Sequence, residues 1–229
     1  MKITIETPAF IVSGKKWIPV ALYDKLAIKT INERKIHLLK TKGYKIPTND
    51  ENPVFKAAAA LQKLKPNKFG VKIGIEKNIP TFSGLHSQLS NAAGALIALN
   101  QLWGFNLPNK KLSAIAKTID PKMPAILKIF FSLPETSKKI VLIRPKHILI
   151  DPEWAKNHNP PSYFPDLKAL VRILKEQGAE SAGLSGKRSM VFGQFKGPVS
   201  LKTSEKTFRG KTDFIWIGSA CNKGAELID

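Results

Sequence analysis

Residues 79–103 read IPTFSGLHSQLSNAAGALIALNQLW, and this stretch decides the fold because a loop leads directly into a long apolar run. From Ser90 to Trp103 the residues are apolar around nearly the whole helical circumference, which predicts a central, buried helix with Ser90 as its N-cap. Gly84 lies a few residues earlier, where a nucleotide-binding protein has a flexible loop that holds phosphate. The stretch therefore raises the question of whether this loop binds an anion.

Residue patterns outside this stretch predict a mixed α+β fold. Helical spacing predicts helices at 54–64, 112–119 and 166–177, with Asn52 or Pro53 at the start of the first and Asp166 capping the last, before Gly178. Alternating or apolar segments predict strands at residues 2–6, 25–31, 35–40, 71–77, 139–145, 147–151, 189–195 and 213–218. Because strict βαβ alternation is absent, we expect one or two mixed sheets with packed helices.

The composition is that of a globular protein without a membrane anchor. The 229 residues are 43% hydrophobic and 24% charged, and no apolar run reaches the roughly 18 to 20 residues that a membrane span needs. The first ten residues lack the apolar segment of a signal peptide. The single cysteine, Cys221, forms no intramolecular disulfide. We therefore expect a cytoplasmic protein with no membrane partner.

The formal net charge of +20 is the unusual feature of the composition. Such a charge attracts nucleic acid, anionic lipid or phosphorylated ligands. The lysines are spread along the whole chain, however, and arginine, which recognises phosphates and bases with two parallel hydrogen bonds, is scarce. Lysine-rich composition alone accounts for the charge, and nucleic-acid binding remains an unspecific alternative.

Four segments, in order along the chain, resemble one known family. They are ALYDKLAIK (21–29), IPTNDENPVFKAAAAL (46–61), IEKNIPTFSGL…SNAAGALIALNQLWGFNL (75–107) and GAESAGLSGKRSMVFGQF (178–195). They are similar to the GHMP kinase superfamily, and most similar to its 4-diphosphocytidyl-2-C-methyl-D-erythritol kinases, which act in isoprenoid precursor synthesis. The resemblance runs over roughly residues 20–118 and 140–195.

The resemblance implies a two-domain fold, with a GHMP kinase N-terminal, ATP-binding-like domain at 1–135 and a C-terminal domain at 136–229. It also implies ATP-dependent phosphorylation of a small-molecule hydroxyl, with Mg²⁺ neutralising the phosphates. The C-terminal motif loop would be Ser185, Gly186, Lys187 and Arg188. The nucleotide would be bound by Asn52, Gly84, Leu85, His86, Ser87, Gln88, Leu89, Ser90 and Asn91.

The resemblance is weakest at the positions that carry the family's chemistry. Phe10 stands where the family has a lysine, and DPKMPAI places Lys122 where the family has its catalytic-base aspartate. The glycines of the family's phosphate loop are replaced in GLHSQLSNAA by His86, Gln88 and Leu89, whose side chains would narrow the loop. The family's substrate segment around GYHE has no counterpart.

Each of these positions also has a purely structural interpretation. Capping of a helix N-terminus is enough to account for Ser90 and Asn52. Exposure on a solvated turn is enough to account for the charges of Lys187 and Arg188. Asp120 replaces the missing base only if the local alignment shifts, and an exposed loop acid is the simpler interpretation. His37, His86, His147 and His158 are too far apart for a metal site.

Three hypotheses therefore remain open. The first is a divergent kinase whose activity is weak or lost, which binds a phosphate-containing small molecule or nucleotide. The second is a catalytically inactive ligand-binding or protein-interaction module. The third is a basic nucleic-acid-binding protein, which rests on charge alone.

Overall fold

The computed structural model describes residues 1–64, 70–132, 138–197, 199, 210–221 and 225–228. Its regular elements form two sheets with helices packed against them, which confirms the predicted α+β class. No helix of the described residues is both long and apolar enough to cross a membrane.

The first sheet has five strands in the order β3-β4-β2-β1-β9. Its strands are β1 (Lys2–Ser13), β2 (Lys16–Ile31), β3 (Ile36–Gly43), β4 (Gly70–Lys77) and β9 (Glu226–Ile228). β3 pairs with β4 in parallel, and the other pairs are antiparallel. Alternate residues such as Ile5, Ile28 and Ile73 are fully buried on one face, because a strand directs successive side chains to opposite sides.

The β1–β2 hairpin is the largest departure from the predicted strands. The sequence predicted strands only at residues 2–6 and 25–31, whereas β1 continues to Ser13 and a tight turn leads into β2, which starts at Lys16. The turn is possible because Gly14 adopts a φ of +59°, which glycine accepts without steric cost. The hairpin places Trp17 beside the functional site.

Four helices pack on the inner face of the first sheet. They are α1 (Pro53–Gln62), α2 (Ser87–Leu102), α3 (Asn109–Ile119) and α4 (Met123–Phe131). The prediction of a central buried α2 is confirmed, since Ala92, Leu96 and Leu99 have no exposed surface. Helix α4 was not among the helices predicted from the sequence. Its Pro124 is tolerated because it lies in the first turn.

The second sheet has four strands in the order β6-β7-β5-β8. Its strands are β5 (Lys139–Pro145), β6 (Ser181–Leu184), β7 (Val191–Phe195) and β8 (Thr212–Ser219). One face is covered by α7 (Pro165–Glu176), beside the short helices α5 (Pro152–Asn157) and α6 (Pro160–Tyr163). The two sheets share an apolar cluster that includes Ala9, Ile79, Ile140 and Phe192.

Two predictions in this region were wrong. Residues 147–151 form no strand, because β5 ends at Pro145, which has no N–H for the ladder, and α5 begins at Pro152. The N-cap of α7 is Phe164 and not Asp166, because Pro165 takes the first helical position, to which its fixed φ is suited. The predicted Gly178 follows α7 with a φ of +89°.

The proposed boundary between residues 135 and 136 stays a prediction, and it lies outside the described residues. The C-terminal strand β9 returns to the first sheet, where it pairs with β1 at residues 4–6. β9 is therefore an edge strand of the first sheet, next to β1.

Candidate functional site

The loop between β4 and α2 is sharply turned and lies against the C-terminal motif loop. Phe82, Gly84 and His86 all have positive φ, at 57°, 85° and 51°. A Cβ on Gly84 would lie 2.3 Å from the carbonyl oxygen of Ser185, so only glycine fits at this contact. The Ser185 hydroxyl donates a 2.7 Å hydrogen bond to the carbonyl oxygen of Gly84 and accepts one of 3.1 Å from the N–H of Val12.

Helix α2 begins at Ser87, with His86 at the N-cap, so the prediction that Ser90 caps the helix was wrong. Ser90 lies inside the first turn, where its N–H bonds the carbonyl oxygen of His86. Its hydroxyl donates to the carbonyl oxygen of Pro8 at 2.6 Å, so a contact with β1 uses the group that would have capped the helix. Asn91 is buried too, and its Oδ1 accepts from the Thr7 hydroxyl at 2.7 Å.

The first turn of α2 retains free backbone donors. The N–H groups of the first turn of a helix have no intrahelical acceptor, and they carry the positive end of the helix dipole. His86 provides no side-chain cap for them. Because α2 has 16 residues, this end is a strong candidate for contact with an anion.

The buried ring of His86 packs beside this helix end, between Trp17 and Gly186. Its ring centroid lies 4.7 Å from that of Trp17, and a Cβ on Gly186 would lie 3.1 Å from its Nε2. Among the described residues this buried Nε2 has no hydrogen-bond partner. Burial, the largest cause, together with the positive charges of Lys122 and Arg188 lowers the pKa of His86 to about 4, and the charge of Asp120 only partly opposes this shift. His86 is therefore neutral at pH 7.

Two cationic side chains stand close enough to His86 to act on its titration. Lys122 is exposed at the N-cap of α4, and its backbone N–H donates a 2.7 Å hydrogen bond to Asp120 Oδ1. Arg188 lines the cavity in front of α2, and its Nη1 donates to the carbonyl oxygen of Ile150 at 2.9 Å. Burial lowers the pKa of Arg188, although the guanidinium keeps its charge at neutral pH.

The cavity has a volume of about 620 Å³, within the range of small-molecule sites. Of the predicted nucleotide-binding residues, Gly84 to Leu89 line it, together with Arg188 from the predicted motif loop. Phe82 and Leu149, 71% and 76% exposed, provide apolar surface at its opening. The cavity thus combines a helix N-terminus, one guanidinium and apolar walls.

Several predicted site residues lie elsewhere. Asn52 caps α1, because its Oδ1 accepts from the N–H of Val54 at 2.9 Å, and it does not line the cavity. Lys187 extends toward α5, where its Nζ lies 3.5 Å from the carbonyl oxygen of Lys156. Phe10 is fully buried between Trp17 and Phe130, at centroid distances of 6.1 and 5.9 Å.

A buried ion pair beneath the loop was missed by the sequence analysis. Lys77 donates to Asp24, to the carbonyl oxygen of Ile79 at 3.0 Å and to the Ser87 hydroxyl at 2.7 Å. Asp24 Oδ1 accepts from the N–H groups of Asn78 and Ile79, both at 2.8 Å. The signal was available, because Lys77 continues the inward-facing series of Val71, Ile73 and Ile75.

The donor set fits the phosphate of a nucleotide better than a complete metal site. The α2 end and Arg188 offer donors and positive charge to an anion in the cavity. Among the described residues, no three His, Cys, Asp or Glu side chains come together as metal ligands. A magnesium ion here would rely on the nucleotide phosphates and water for most of its ligands.

Comparison with known protein families identifies relatives of part of the chain. Residues 52–125, which include α1, the loop and α2, match the family model "GHMP kinases N terminal domain". The 4-diphosphocytidyl-2-C-methyl-D-erythritol kinase of Clostridioides difficile is 38% identical over 105 residues, a match that spans 46% of this chain and 35% of that protein. The kinase of the same name from Syntrophus aciditrophicus is 29% identical over 236 residues and is matched over 84% of both chains.

Solved structures show that the whole fold is shared. A crystal structure of 4-(cytidine 5'-diphospho)-2C-methyl-D-erythritol kinase superposes with a TM-score of 0.71 at 18% identity, covering 96% of this chain and 98% of that one. The homoserine kinase of Cytophaga hutchinsonii gives a TM-score of 0.78 at 15% identity, over 99% and 97% of the two chains. The predicted resemblance and the predicted GHMP kinase fold, with mixed sheets and packed helices, are therefore confirmed.

Proposed function

We propose that this relative of the GHMP kinases is a divergent member of the 4-diphosphocytidyl-2-C-methyl-D-erythritol kinase group, which binds a nucleotide in the cavity but transfers its phosphoryl group weakly or not at all. The names of its relatives support a kinase of isoprenoid precursor synthesis. The observation that carries nucleotide binding is the 620 Å³ cavity at the N-terminus of α2.

The chain's own residues account for binding. The free N–H groups of Ser87, Gln88 and Leu89 would hold a phosphate, and Arg188 would add a positive charge from the motif loop. The apolar rim formed by Phe82 and Leu149 would take the uncharged part of the ligand. The nucleotide supplies the phosphoryl group and, with Mg²⁺, the charge balance.

The same residues explain why transfer is weak. A kinase needs a carboxylate that accepts the hydroxyl proton of its substrate. Lys122 stands at the corresponding position, and its protonated amine cannot accept a proton. The carboxylate of Asp120 already accepts a hydrogen bond from the backbone N–H of Lys122. Phe10 is buried in the apolar core, so the family's lysine has no cationic substitute there.

His86 and Trp17 also reduce the space in which a reacting alcohol would have to stand. The two rings are in contact in front of α2, and Gly186 closes over His86 Nε2. Positioning is most of phosphoryl-transfer catalysis, so an obstructed acceptor site lowers the rate sharply.

Nucleotide binding is tested by thermal unfolding with ATP and Mg²⁺. A ligand at 100 times its Kd stabilises the folded state by about 2.7 kcal/mol, which is a rise of about 5–11 °C in a protein of this size. Arg188→Gln should reduce this rise. Arg172→Gln is the matched control, because Arg172 is an exposed side chain that pairs with Glu176 on α7. Absence of a shift in the wild-type chain at millimolar nucleotide would reject nucleotide binding and leave the interaction-module hypothesis.

The loss of the base is tested separately with Lys122→Asp. ATP turnover with an alcohol acceptor should be higher in this variant than in wild type, since a carboxylate is restored at the N-cap of α4. If wild type shows a full kinase rate that Lys122→Asp leaves unchanged, Lys122 does not stand at the base position and the assignment is wrong.

A further inference from the structure

The outer face of the first sheet carries a row of basic residues that has no part in the proposed cavity. His37 on β3, Lys72 on β4, Lys29 on β2 and Lys2 on β1 are direct register partners across four adjacent strands. All four are exposed, and they alternate with buried residues such as Ile28 and Ile73 on the opposite face. We call these four residues the basic row.

The basic row is unbalanced in charge. Among the described residues, none of its members has a carboxylate within salt-bridge distance. Glu33 lies near the His37 end, but it is paired with Lys35 at 3.1 Å. Like charges directly opposite each other on a sheet are destabilising, so folding gains nothing from this arrangement.

A second row on the same face shows the usual arrangement. Glu6, Lys25, Glu76 and Lys42 are also register partners on the four strands, and here the charges alternate in sign. Lys25 lies 3.0 Å from Glu6, and Lys42 lies 3.4 Å from Glu76. We call these residues the paired row. The net charge of +20 therefore does not by itself explain the basic row, because charges of opposite sign are paired on the same face four residues further along β1, β2 and β4.

Most of the residues between the two rows have small side chains. Thr4, Ala27, Gly74 and Leu39 occupy it. None of them is an aromatic residue that could stack an unpaired base, which argues against single-stranded nucleic acid. Only Leu39 offers an aliphatic side chain of any size, which argues against insertion into a lipid surface.

We infer that the basic row is a docking surface for the phosphate backbone of a nucleic-acid duplex. Neighbouring strands lie about 4.8 Å apart, so the row spans about 14 Å, roughly the axial length that five successive phosphates cover on one strand of a duplex. Contacts to phosphates alone give binding without sequence preference. This surface is independent of the cavity at α2, and nucleotide binding there can fail without affecting it.

The test measures binding of a labelled 20-base-pair DNA duplex by fluorescence anisotropy between 50 and 200 mM KCl. Each lysine–phosphate contact contributes about −0.9 to the slope of log K against log salt, so three lysines contribute about −2.7, a loss of about 40-fold across this range. Lys29→Thr with Lys72→Thr should make the slope less negative by about 1.8 and weaken binding at 50 mM. Threonine is chosen because it favours strands.

Lys25→Thr with Lys42→Thr is the matched control. It removes two exposed lysines from the same face of the sheet, one on β2 and one on β3, and it lowers the net charge by the same amount. The control should change the slope by less than half as much. Equal effects of the two double variants would show that net charge, and not the basic row, attracts the duplex, and the inference would be wrong.

Two further measurements keep the inference testable if a variant folds poorly. In the wild-type chain, duplex should protect Lys29 and Lys72 from acetylation and leave Lys25 and Lys42 as reactive as before. Vesicles containing anionic phosphatidylserine should compete poorly with duplex. No duplex binding at 50 mM salt, protection of the paired row instead, or binding to vesicles in place of duplex would each overturn it.

Discussion

The pKa of His86 makes the folded protein lose stability in mild acid, and the loss can be worked out from the structure. Burial among Trp17, Gly186 and the α2 terminus holds this pKa at about 4, against an ordinary value of about 6.5. Between these two values the unfolded chain binds a proton that the folded chain excludes. The contribution of His86 to the free energy of unfolding is therefore fully present above pH 6.5 and is lost as the pH falls toward 4.

The magnitude follows from the two pKa values. The free energy of unfolding changes by about 1.4 kcal/mol per pH unit while only the unfolded state is protonated. Between pH 7 and pH 5 this amounts to about 2 kcal/mol for His86 alone. In a chain of this size such a loss lowers the melting temperature by about 4–8 °C.

The comparison needs a variant that cannot titrate. His86→Asn is suitable, because asparagine tolerates the left-handed φ of +51° at this position. Other groups titrate alike in both proteins, so the difference between their melting temperatures at each pH isolates His86. The wild-type chain should lose about 2 kcal/mol more than His86→Asn between pH 7 and pH 5.

An NMR titration of the imidazole protons provides the direct measurement. The resonance that disappears in His86→Asn should titrate near pH 4, and Lys122→Asp should raise its midpoint, because Lys122 is one of the two cations that lower the pKa of His86. A midpoint near 6.5, or identical acid sensitivity of wild type and His86→Asn, would show that His86 is solvated. The account of His86 as a buried, neutral side chain would then be refuted.

Three other substitutions test the structure around the site. Lys77→Met should lower the free energy of unfolding by about 3–5 kcal/mol, measured with denaturant, because it leaves Asp24 buried without a cation. Adding Asp24→Leu should recover part of that loss. Equal stability of the single and double variants would contradict the ion pair. Gly84→Ala should be more destabilising than Gly104→Ala in thermal unfolding, since both residues have positive φ but only Gly84 has backbone within 4 Å of the added Cβ; equal costs would exclude the close contact with Ser185. Asn52→Ala should cost about 1 kcal/mol without changing nucleotide affinity, and a loss of affinity would restore Asn52 as a site residue.

The sequence predicted the elements whose patterns depend on local contacts. The apolar circumference of 90–103 predicted a buried helix, and Asn52 before Pro53 predicted the start of α1. These succeed because a buried helix needs apolar residues on all sides, and a capping side chain acts on its own first turn.

The errors arose where distant contacts decide the local structure. Ser90 has the right chemistry for an N-cap, but its hydroxyl donates to the carbonyl oxygen of Pro8 on β1, and the N-cap is His86, four residues earlier. His86 has a φ of +51°, a conformation that is uncommon for residues other than glycine, although histidine adopts it more often than most. Only the packing of Trp17 and Gly186 around the ring explains why it is there.

Binding and phosphoryl transfer rest on separate supports in this fold. The N-terminus of α2 is fixed from below by Lys77 through Ser87 and from the side by Ser90 through Pro8, and neither contact involves a residue of the transfer chemistry. The positions that carry transfer in the family belong to other elements, at Phe10 in β1 and Lys122 before α4. Substitution at these two positions removes a lysine and a base without disturbing the helix end that faces the cavity. A chain of this fold can therefore lose transfer in single steps while its anion-binding helix remains in place, which is the state that we propose for this protein.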